Sequence, residues 1–334
     1  MKAQWVQDLT DGRRIDDSFA LTARQLRTSR TGDAYLSLEL GDRTGRIGSV
    51  LFKPSSTAVA IPTGAIVRAT GVVTTYRGQR RVSLQDMKVC RSYSAEDFVP
   101  GGAADVEELK RRFRTLAASV TDRRLRRVLS VVFGDKGFLR RFEQCPGAQS
   151  HHHAYLGGLL EHTVAVATLC AGSAGLYHDV DRDLLVTAAL LHDIGKVDEL
   201  SWGTTIEYTD DGRLVGHVVL GEQRVLGQVS AKAPEVPRAL LTRLLHAVLS
   251  HHGELEWGAP KRPSTLEALL LHHADNMDAK ASGFTELTVG ASALDERWTD
   301  AQNLFRRPLF APSAVDDDRP QRTREDDQYA CSPG

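Results

Sequence analysis

Cysteine is scarce in this sequence: the chain has four, scattered along its length, and they form no Cys-x-x-Cys pair. This usage argues against a disulfide framework or a cysteine-based zinc site, and it predicts a cytoplasmic protein. Long apolar runs are also missing, since the longest, Leu184–Leu191, is far shorter than the ~20 residues that span a bilayer. Because the opening MKAQWVQDLT contains no apolar stretch, we expect neither a secretory signal nor a membrane partner.

Net charge is almost absent, at −1, but the charges are unevenly distributed along the 334 residues. Residues 1–150 contain 26 Lys and Arg against 16 Asp and Glu, whereas residues 151–334 contain 16 against 27 and all 12 histidines. A basic first half could hold a polyanion, and a second half rich in His and Asp could hold cations. A difference in surface charge between two domains explains the same numbers equally well.

The first hundred residues are typical of β structure. Short runs rich in β-branched and aromatic residues predict five strands, at Phe19–Thr28, Ala34–Leu40, Ile47–Phe52, Ile66–Tyr76 and Arg81–Val89. Turn sequences such as Thr31-Gly32-Asp33 separate them, and a helical insertion is expected around Ser55–Ala60. Five short strands in so little chain favour a small closed barrel.

The hydrophobic period then changes from 2 to 3.6, which predicts a second, helical domain. We therefore expect a multidomain protein with a β-barrel at 1–92, a linker at 93–105, an all-α domain at 106–310 and a disordered acidic tail at 311–334. Amphipathic helices are predicted at Val106–Ala118 and Asp122–Phe133.

Within the helical domain, Asp183 is expected to cap a buried helix and Gly195 to end it. The one predicted exception to helix is Trp202–Val215, which has the residues of a short hairpin or an extended loop.

Histidine and aspartate residues recur on the apolar helices of this domain. An Asp within an apolar helix is costly unless it is paired or binds a metal, and helical bundles build metal sites from inward-facing His and carboxylate side chains. Imidazole with carboxylate suits Mn²⁺, Fe²⁺ or Co²⁺ better than Mg²⁺. The candidate ligands are His162, His192, Asp193, His217, His251, His252 and Asp275.

Most of these residues also have an ordinary structural explanation when taken alone. His251 and His252 could simply cap a helix C-terminus, where positive charge is favourable. His246 is assigned to the packing of its helix, and His272 and His273 to the core or to the support of a ligand.

The ordered set resembles the HD-domain superfamily of metal-dependent phosphohydrolases. The superfamily pattern of a His, a His-Asp pair and a distant Asp matches His162, His192, Asp193 and Asp275. A longer form of the pattern, associated with dinuclear sites, matches His217, His251 and His252. The resemblance implies that Asp193 bridges two ions and that Lys196 contacts phosphate or orients the site.

Several longer segments are similar to the YhaM family of 3′–5′ exoribonucleases. In the helical half these are HHAYLGGLLEHT (152–163), LLHDIGK (190–196), GHVVLG (216–221), LSHHGELEWGAPKRP (249–263) and HHADNMDAK (272–280). In the first half they are YLSLELGDRTGRIGSVLF (35–52) and IVRATGVVTTYRGQRRVSL (66–84). The similarity implies an OB-fold nucleic-acid-binding domain before an HD domain, and it suggests a homo-oligomer.

The same resemblance implies a metal-dependent 3′–5′ exonuclease that releases nucleoside 5′-monophosphates from single-stranded RNA or DNA. Two divalent ions, with Mn²⁺ first, would be its cofactors. OB surfaces combine cationic grooves with aromatic side chains on which bases stack. The candidate substrate contacts on the barrel are Tyr35, Tyr76, Arg77, Arg80 and Arg81, whereas Phe52 is assigned to the barrel core.

Other candidate residues lie beside the expected metal site. Lys261 and Arg262 are predicted phosphate contacts in a loop rich in Gly and Pro. His152 and His153 are candidate catalytic residues that could hydrogen-bond the phosphate or protonate the leaving oxygen, although a helix-capping loop explains them as well.

Two other functions fit the same residues. HD proteins with similar ligands hydrolyse small nucleotides or cyclic dinucleotides, and an OB-like module does not exclude such a substrate. The third hypothesis is a nucleic-acid-binding protein whose HD domain is only structural. Loss of ligand residues would indicate that case, but the sequence retains all four residues of the core pattern.

Overall fold

The computed structural model describes two compact units, divided between Asp278 and Ala279. Most of the predicted linker and nearly all of the predicted tail lie outside the described residues. The described residues are 2–29, 32–76, 79–94, 97–98, 105–149, 153–203, 205–293 and 296–311.

The N-terminal strands form a closed five-stranded barrel in the order β1-β2-β3-β5-β4. All neighbours are antiparallel except β3 and β5, whose parallel pairing closes the barrel. This strand order is that of an OB-fold, the Greek-key barrel that the sequence predicted. The strands are β1 (Arg14–Thr28), β2 (Ala34–Asp42), β3 (Gly45–Phe52), β4 (Ile66–Tyr76) and β5 (Gln79–Val89), and a short helix, α1 (Ser56–Ala60), separates β3 from β4.

Alternating apolar side chains fill the interior of the barrel, with Phe19, Leu36 and Val82 fully buried. The register of β4 against β5 shifts between Thr70 and Gly71. A Cβ at Gly71 would lie 2.4 Å from the backbone oxygen of Ser83, so only glycine lets the two strands approach this closely.

The chain from Val106 onward is mainly helical. Its first four long helices are α2 (Val106–Ala118), α3 (Arg123–Phe133), α4 (Lys136–Gln144) and α5 (Gly158–Ala174). They are followed by α6 (Arg182–Leu191), α7 (Lys196–Glu199), α8 (Asp210–Leu214), α9 (His217–Lys232), α10 (Arg238–Ser250) and α11 (Leu266–Ala293). The apolar residues of these helices, apart from α8, share one continuous core.

Aspartate begins several of these helices. The carboxylates of Asp105, Asp122 and Asp135 each accept hydrogen bonds from backbone N–H groups in the first turn of α2, α3 and α4. The residue that caps α6 is Asp181, so the prediction of Asp183 was wrong. Asp183 lies in the first turn of α6, and its carboxylate instead accepts from the backbone N–H of Thr121 and of Asp122.

Helix α6 is buried on every side, which fits its near-continuous aliphatic sequence. It ends at Leu191 with His192 as its C-terminal cap, three residues earlier than the predicted stop at Gly195. Gly195 precedes the next short helix, α7, and its backbone is right-handed.

A two-stranded hairpin interrupts the helices, as the sequence predicted, but the end of the predicted non-helical segment Trp202–Val215 forms helix α8. Its strands are β6 (Leu200–Trp202) and β7 (Ile206–Tyr208), and α8 follows at once. In the second unit, Trp298 pairs with Phe310 through an isolated β-bridge and an edge-on ring contact. Among the described helices, none is both long and apolar enough to cross a membrane.

Candidate metal centre

Five helices, with the turns that follow two of them, bring the predicted ligands together. His162 lies near the start of α5, and His192 and Asp193 follow the end of α6. His217 opens α9, and Asp275 lies on α11. His251 and His252 follow the end of α10. All seven predicted ligand residues meet at one site.

The two carboxylate oxygens of Asp193 face different histidines. Oδ2 lies 3.4 Å from Nε2 of His162 and 3.4 Å from Nε2 of His192. Oδ1 lies 3.4 Å from Nε2 of His217 and 3.5 Å from Nε2 of His251. Separations of this size are those between ligand atoms that each lie about 2.1 Å from one ion.

The remaining ligands complete the two sides. On the Oδ2 side, Oδ1 of Asp275 lies 3.1 Å from Nε2 of His162. On the Oδ1 side, Nε2 of His252 lies 3.2 Å from Nε2 of His217. The predicted ligands form two groups of potential ligands, one of His162, His192 and Asp193, and one of His217, His251 and His252. A third group in the described residues, His153, His162 and Asp278, shares His162 with the first.

Each histidine uses its other ring nitrogen to hold its orientation. Nδ1 of His192 donates to the carbonyl of Ala189, and Nδ1 of His251 donates to that of Val248, both at 2.7 Å. Nδ1 of His252 donates to the carbonyl oxygen of Trp257 at 2.9 Å. With Nδ1 engaged, the lone pair of Nε2 points into the centre, as a metal ligand requires.

A divalent cation fits this site for a further reason. Oδ1 of Asp193 and Nε2 of His251 are buried side-chain atoms without a hydrogen-bond partner among the described residues. A buried carboxylate oxygen and a buried imidazole lone pair are both costly when unsatisfied, and a cation satisfies both. The donor set is therefore consistent with divalent metal binding.

The electrostatics of the histidines agree with this assignment. Burial lowers the pKa of His251, and burial together with His251 and His217 lowers the pKa of His252 to about 3. These rings are therefore neutral and able to donate a lone pair. Burial also opposes the charge of His162, but hydrogen bonds to Asp275 and Asp278 outweigh it and raise its pKa to about 9. His162 must release a proton when it binds a cation through Nε2.

Lys196 is the cation nearest to Asp193. Its Nζ lies 2.7 Å from Oδ2 of Asp193, within one helical turn. Burial raises the pKa of Asp193, but Lys196 and His192 outweigh burial and hold that pKa well below its usual range. This contact supports the prediction that Lys196 orients the site, and the role stays a prediction.

The sequence did not point to two carboxylates that support the ligands. Oε1 of Glu199 accepts from both the backbone N–H and Nδ1 of His217, at 3.0 and 2.9 Å. Oδ2 of Asp278 lies 2.7 Å from Nδ1 of His162. Asp278 falls within the segment HHADNMDAK, one helical turn after Asp275, and that spacing was the available clue.

His153 contacts one of these supporting carboxylates and is not among the predicted metal ligands. Its Nε2 is 3.1 Å from Oδ2 of Asp278, and its Nδ1 is 3.0 Å from the hydroxyl of Tyr155. That hydroxyl donates to Glu161 at 2.7 Å. Both ring nitrogens of His153 thus have partners in the chain, which favours a supporting role. His152 lies outside the described residues.

Close backbone packing positions the second half of the site. A Cβ at Gly195 would lie 2.0 Å from the carbonyl oxygen of His217 and 2.5 Å from the nitrogen of Gly221. The absence of a side chain therefore lets the first turn of α9, with His217, lie against the turn that follows Asp193.

The two predicted phosphate contacts lie in the loop between α10 and α11, and both are exposed. Nε of Arg262 donates to Glu254 at 2.9 Å, so this guanidinium braces the loop. Lys261, its neighbour, extends from the same exposed stretch.

The barrel surface carries two aromatic groups. Tyr35 and Phe52 pair across β2 and β3 with ring centroids 5.7 Å apart. Phe52 is 53% exposed, so its assignment to the barrel core was wrong. The guanidinium of Arg81 lies 4.1 Å from the centre of the exposed Tyr76 ring.

The other two candidate substrate contacts on the barrel are Arg80 and Arg77. Arg80 donates from Nη1 to the carbonyl of Leu9 at 2.8 Å, which ties the N-terminal segment to the barrel. Arg77 lies outside the described residues.

Comparisons with known proteins agree with this architecture. Residues 159–280 match the family model described as the HD domain. Over 310 residues the chain is 30% identical to the 3′-5′ exoribonuclease YhaM of Geobacillus sp. (strain WCH70), a match that covers 90% of this chain and 94% of that protein. The chain belongs to the YhaM family. The family resemblance seen in the sequence is thereby confirmed.

A second YhaM protein gives the same result. The 3′-5′ exoribonuclease YhaM of Bacillus velezensis is 32% identical over 277 residues, covering 80% of this chain and 86% of that protein. Among solved structures, the second OB-fold domain of replication protein A from Methanococcus maripaludis matches 28% of this chain and 99% of that domain, with 18% identity and a TM-score of 0.23. The strand order of the barrel, not this weak likeness, identifies its fold.

Proposed function

We propose that this YhaM-family chain is a metal-dependent 3′–5′ exonuclease that removes nucleoside 5′-monophosphates from single-stranded RNA. The observation that carries the proposal is the division of Asp193 between two sets of ligands, in a chain that also contains an OB-type barrel. A carboxylate with one oxygen toward each set is suited to bridge two cations.

Two divalent ions would be held by the seven residues described above. His162, His192 and Asp275 would hold one ion, and His217, His251 and His252 the other, with Asp193 shared. The mixture of imidazole and carboxylate favours Mn²⁺, with Fe²⁺ or Co²⁺ as substitutes. Such ions would lower the pKa of a water molecule and neutralise negative charge that develops on a phosphate.

The residues of the chain would each prepare one part of this site. Lys196 keeps Asp193 ionised and fixes its Oδ2 by a 2.7 Å contact. Glu199 orients His217, and Asp278 orients His162, so that both rings present Nε2. Lys261, exposed in the loop between α10 and α11, would contact the phosphate backbone of the substrate.

The barrel, within the proposed domain 1–92, would hold the single strand. The exposed rings of Phe52 and Tyr76 offer faces for base stacking, and Arg81 supplies positive charge beside Tyr76. The bond cleaved is that between the last phosphorus and the 3′-oxygen of the preceding nucleotide. Water supplies the new oxygen on phosphorus, and the 3′-oxygen takes a proton as it leaves.

A time course on a 5′-labelled single-stranded RNA with Mn²⁺ tests the proposal. We expect a ladder that shortens from the 3′ end and disappears in EDTA, and a matched DNA strand in parallel measures the sugar preference. An intact strand in every lane, from protein that contains metal, would reject the exonuclease. A panel of nucleotides and cyclic dinucleotides would then identify a small-molecule phosphohydrolase.

The variant Asp193→Ala distinguishes hydrolysis at the helical part from RNA binding at the barrel. We expect it to lose hydrolysis and bound metal while it still binds single-stranded RNA, because Asp193 lies in the helical part and not in the barrel. Trimming at the wild-type rate by the purified variant would show that the metal assignment is wrong.

A further inference from the structure

The loop after α10 carries a tryptophan that is tied to the metal centre through its backbone. The carbonyl oxygen of Trp257 accepts the Nδ1 hydrogen bond of His252 at 2.9 Å. The N–H of Trp257 donates to the carbonyl of Glu254 at 3.1 Å, and Gly258 makes the following turn at a φ of 86°. The position of Trp257 is therefore fixed relative to His252.

The indole ring lies on the α11 side of the same centre. Its centroid is 5.9 Å from that of His272, whose Nδ1 donates to the carbonyl of His251 at 2.8 Å. His272 lies on α11 three residues before Asp275, a spacing that places two side chains on neighbouring positions of one helix face. Trp257 thus stands at the rim of the site.

The loop that presents this ring is braced from both ends. Arg262 donates to Glu254 at 2.9 Å, and the N–H of Ser264 donates to Nε2 of His246 at 2.8 Å. Trp257 nevertheless remains 56% exposed. A single exposed aromatic residue is ordinary on a protein surface. An exposed indole on a backbone that is fixed beside the candidate ligands is a preorganised binding surface.

We propose that Trp257 is the stacking platform for a nucleobase that flanks the scissile phosphate. This inference rests on the proposed exonuclease function. A base adjacent to the cleaved bond must lie beside the metal centre, and every base offers a π-face to an indole. Stacking on Trp257 would position the strand end without selecting its sequence.

The test compares intact oligoribonucleotides with strands that lack one base, either on the last or on the penultimate nucleotide. The variants are Trp257→Ala and Trp257→Phe. The matched control is Tyr177→Ala, which removes an aromatic side chain of similar exposure, 48%. Tyr177 follows the C-terminal end of α5, whereas His162 lies near the start of that helix, about 18 Å along its axis from the last residue, Ala174.

We expect Trp257→Ala to raise KM for intact RNA by about 5- to 150-fold, the range of one base–aromatic stack, with little change in kcat. For the wild-type enzyme, KM on one of the two abasic strands should exceed KM on intact RNA by a similar factor, which is the abasic penalty. For Trp257→Ala, KM should be the same on that strand and on intact RNA. Trp257→Phe should retain most of the penalty, and Tyr177→Ala all of it. Metal content should be unchanged, because the backbone carbonyl that holds His252 remains in every variant.

A Trp257→Ala enzyme that keeps the full penalty on both abasic strands would overturn the inference while leaving the exonuclease intact. Failure of wild-type protein to shorten any RNA would instead reject the proposed function. Fluorescence polarisation measures the binding of the same strands to Asp193→Ala and to the double variant Asp193→Ala, Trp257→Ala. This comparison shows, independently of turnover, whether Trp257 stacks on a base.

Discussion

Nδ1 of His162 lies 2.7 Å from Oδ2 of Asp278, a residue 116 positions further along the chain. The same oxygen of Asp278 lies 3.1 Å from Nε2 of His153. Burial raises the pKa of Asp278, but the hydrogen bonds from His153 and His162 outweigh burial and hold that pKa well below its usual range. A fixed negative charge thus orients His162 from behind.

Removal of this charge should weaken metal binding without removing a ligand. We expect Asp278→Ala to bind Mn²⁺ about 10- to 100-fold more weakly, the usual cost of losing the hydrogen-bond partner of a ligating histidine. Asp278→Asn, which keeps an acceptor oxygen, should lie between this variant and wild type. Isothermal titration with Mn²⁺ measures the effect, and Asp179→Ala at an exposed loop is the control. Wild-type affinity in Asp278→Ala would contradict the assigned role.

Gly195→Ala should destabilise the helical part. The new Cβ would fall 2.0 Å from a backbone oxygen of α9, so the start of this helix would have to move away. We expect a loss of about 3 kcal/mol in the free energy of unfolding, together with weaker metal binding through displacement of His217.

The control for this substitution lies on α9 itself. A Cβ at Gly227 would have nothing within 4 Å, so Gly227→Ala should be neutral or stabilise by up to about 1 kcal/mol. Urea unfolding of both variants gives the comparison. Equal stability of the two would show that the contact between Gly195 and α9 is not close.

Phe52→Ala should weaken RNA binding at the barrel. Loss of one stacking ring predicts an affinity lower by about 1–3 kcal/mol, with metal content unchanged. Val89, an exposed apolar residue at the end of β5, provides the control variant Val89→Ala. The measurement is fluorescence polarisation with a labelled single strand, in an Asp193→Ala background that prevents cleavage. Equal binding by Phe52→Ala and Val89→Ala would remove Phe52 from the nucleic-acid surface.

The cap of α3 predicts a pH dependence of stability. The hydrogen bond from the Arg124 guanidinium, followed by those from the backbone N–H groups of Arg124 and Leu125, lowers the pKa of Asp122 to about 2. The unfolded value is about 3.9, so the contribution of this carboxylate is fully present above about pH 4 and is lost as the pH falls towards 2.

We therefore expect Asp122→Ala to be less stable than wild type by about 1 kcal/mol at pH 7, and the difference to shrink below pH 4. Urea unfolding across this pH range measures it, with the exposed Asp179→Ala as control. A difference that stays constant down to pH 2 would contradict the lowered pKa.

Local patterns were sufficient to predict the elements that carry their own start and stop signals. Helix α2 was predicted at Val106–Ala118 and found there, and β4 was predicted at Ile66–Tyr76 and found there. Strand β1 begins at Arg14 rather than at Phe19, because its first residues are polar and are held by pairing with β4. Their strand character arises from a partner that is distant in sequence.

The wrong prediction for Phe52 and the two missed carboxylates also reflect contacts that local sequence patterns do not encode. In β3 the burial of Ser49, Val50 and Leu51 in succession breaks the alternation, so the exposure of Phe52 could not be deduced from the strand period. Glu199 and Asp278 support ligands 18 and 116 residues away, and no local pattern distinguishes them from other acidic residues on helices. The ligands themselves were recognisable because charged residues on apolar helices are costly without a partner.

The hairpin of β6 and β7 is closed at its base, where the N–H of Thr209 donates to the carbonyl of Glu199 at 2.9 Å. Asp193, Lys196 and Glu199 serve the centre from the segment before the hairpin. Because the two ends of the hairpin are joined directly, its length does not affect the position of His217. Since a longer loop of this kind costs only about 0.6 kcal/mol per doubling, insertions and deletions among homologues should accumulate between Leu200 and Tyr208 and be excluded from the seven residues before it. Within the described residues, a hairpin that tolerates a change of length thus lies directly beside the segment that contains Asp193, Lys196 and Glu199.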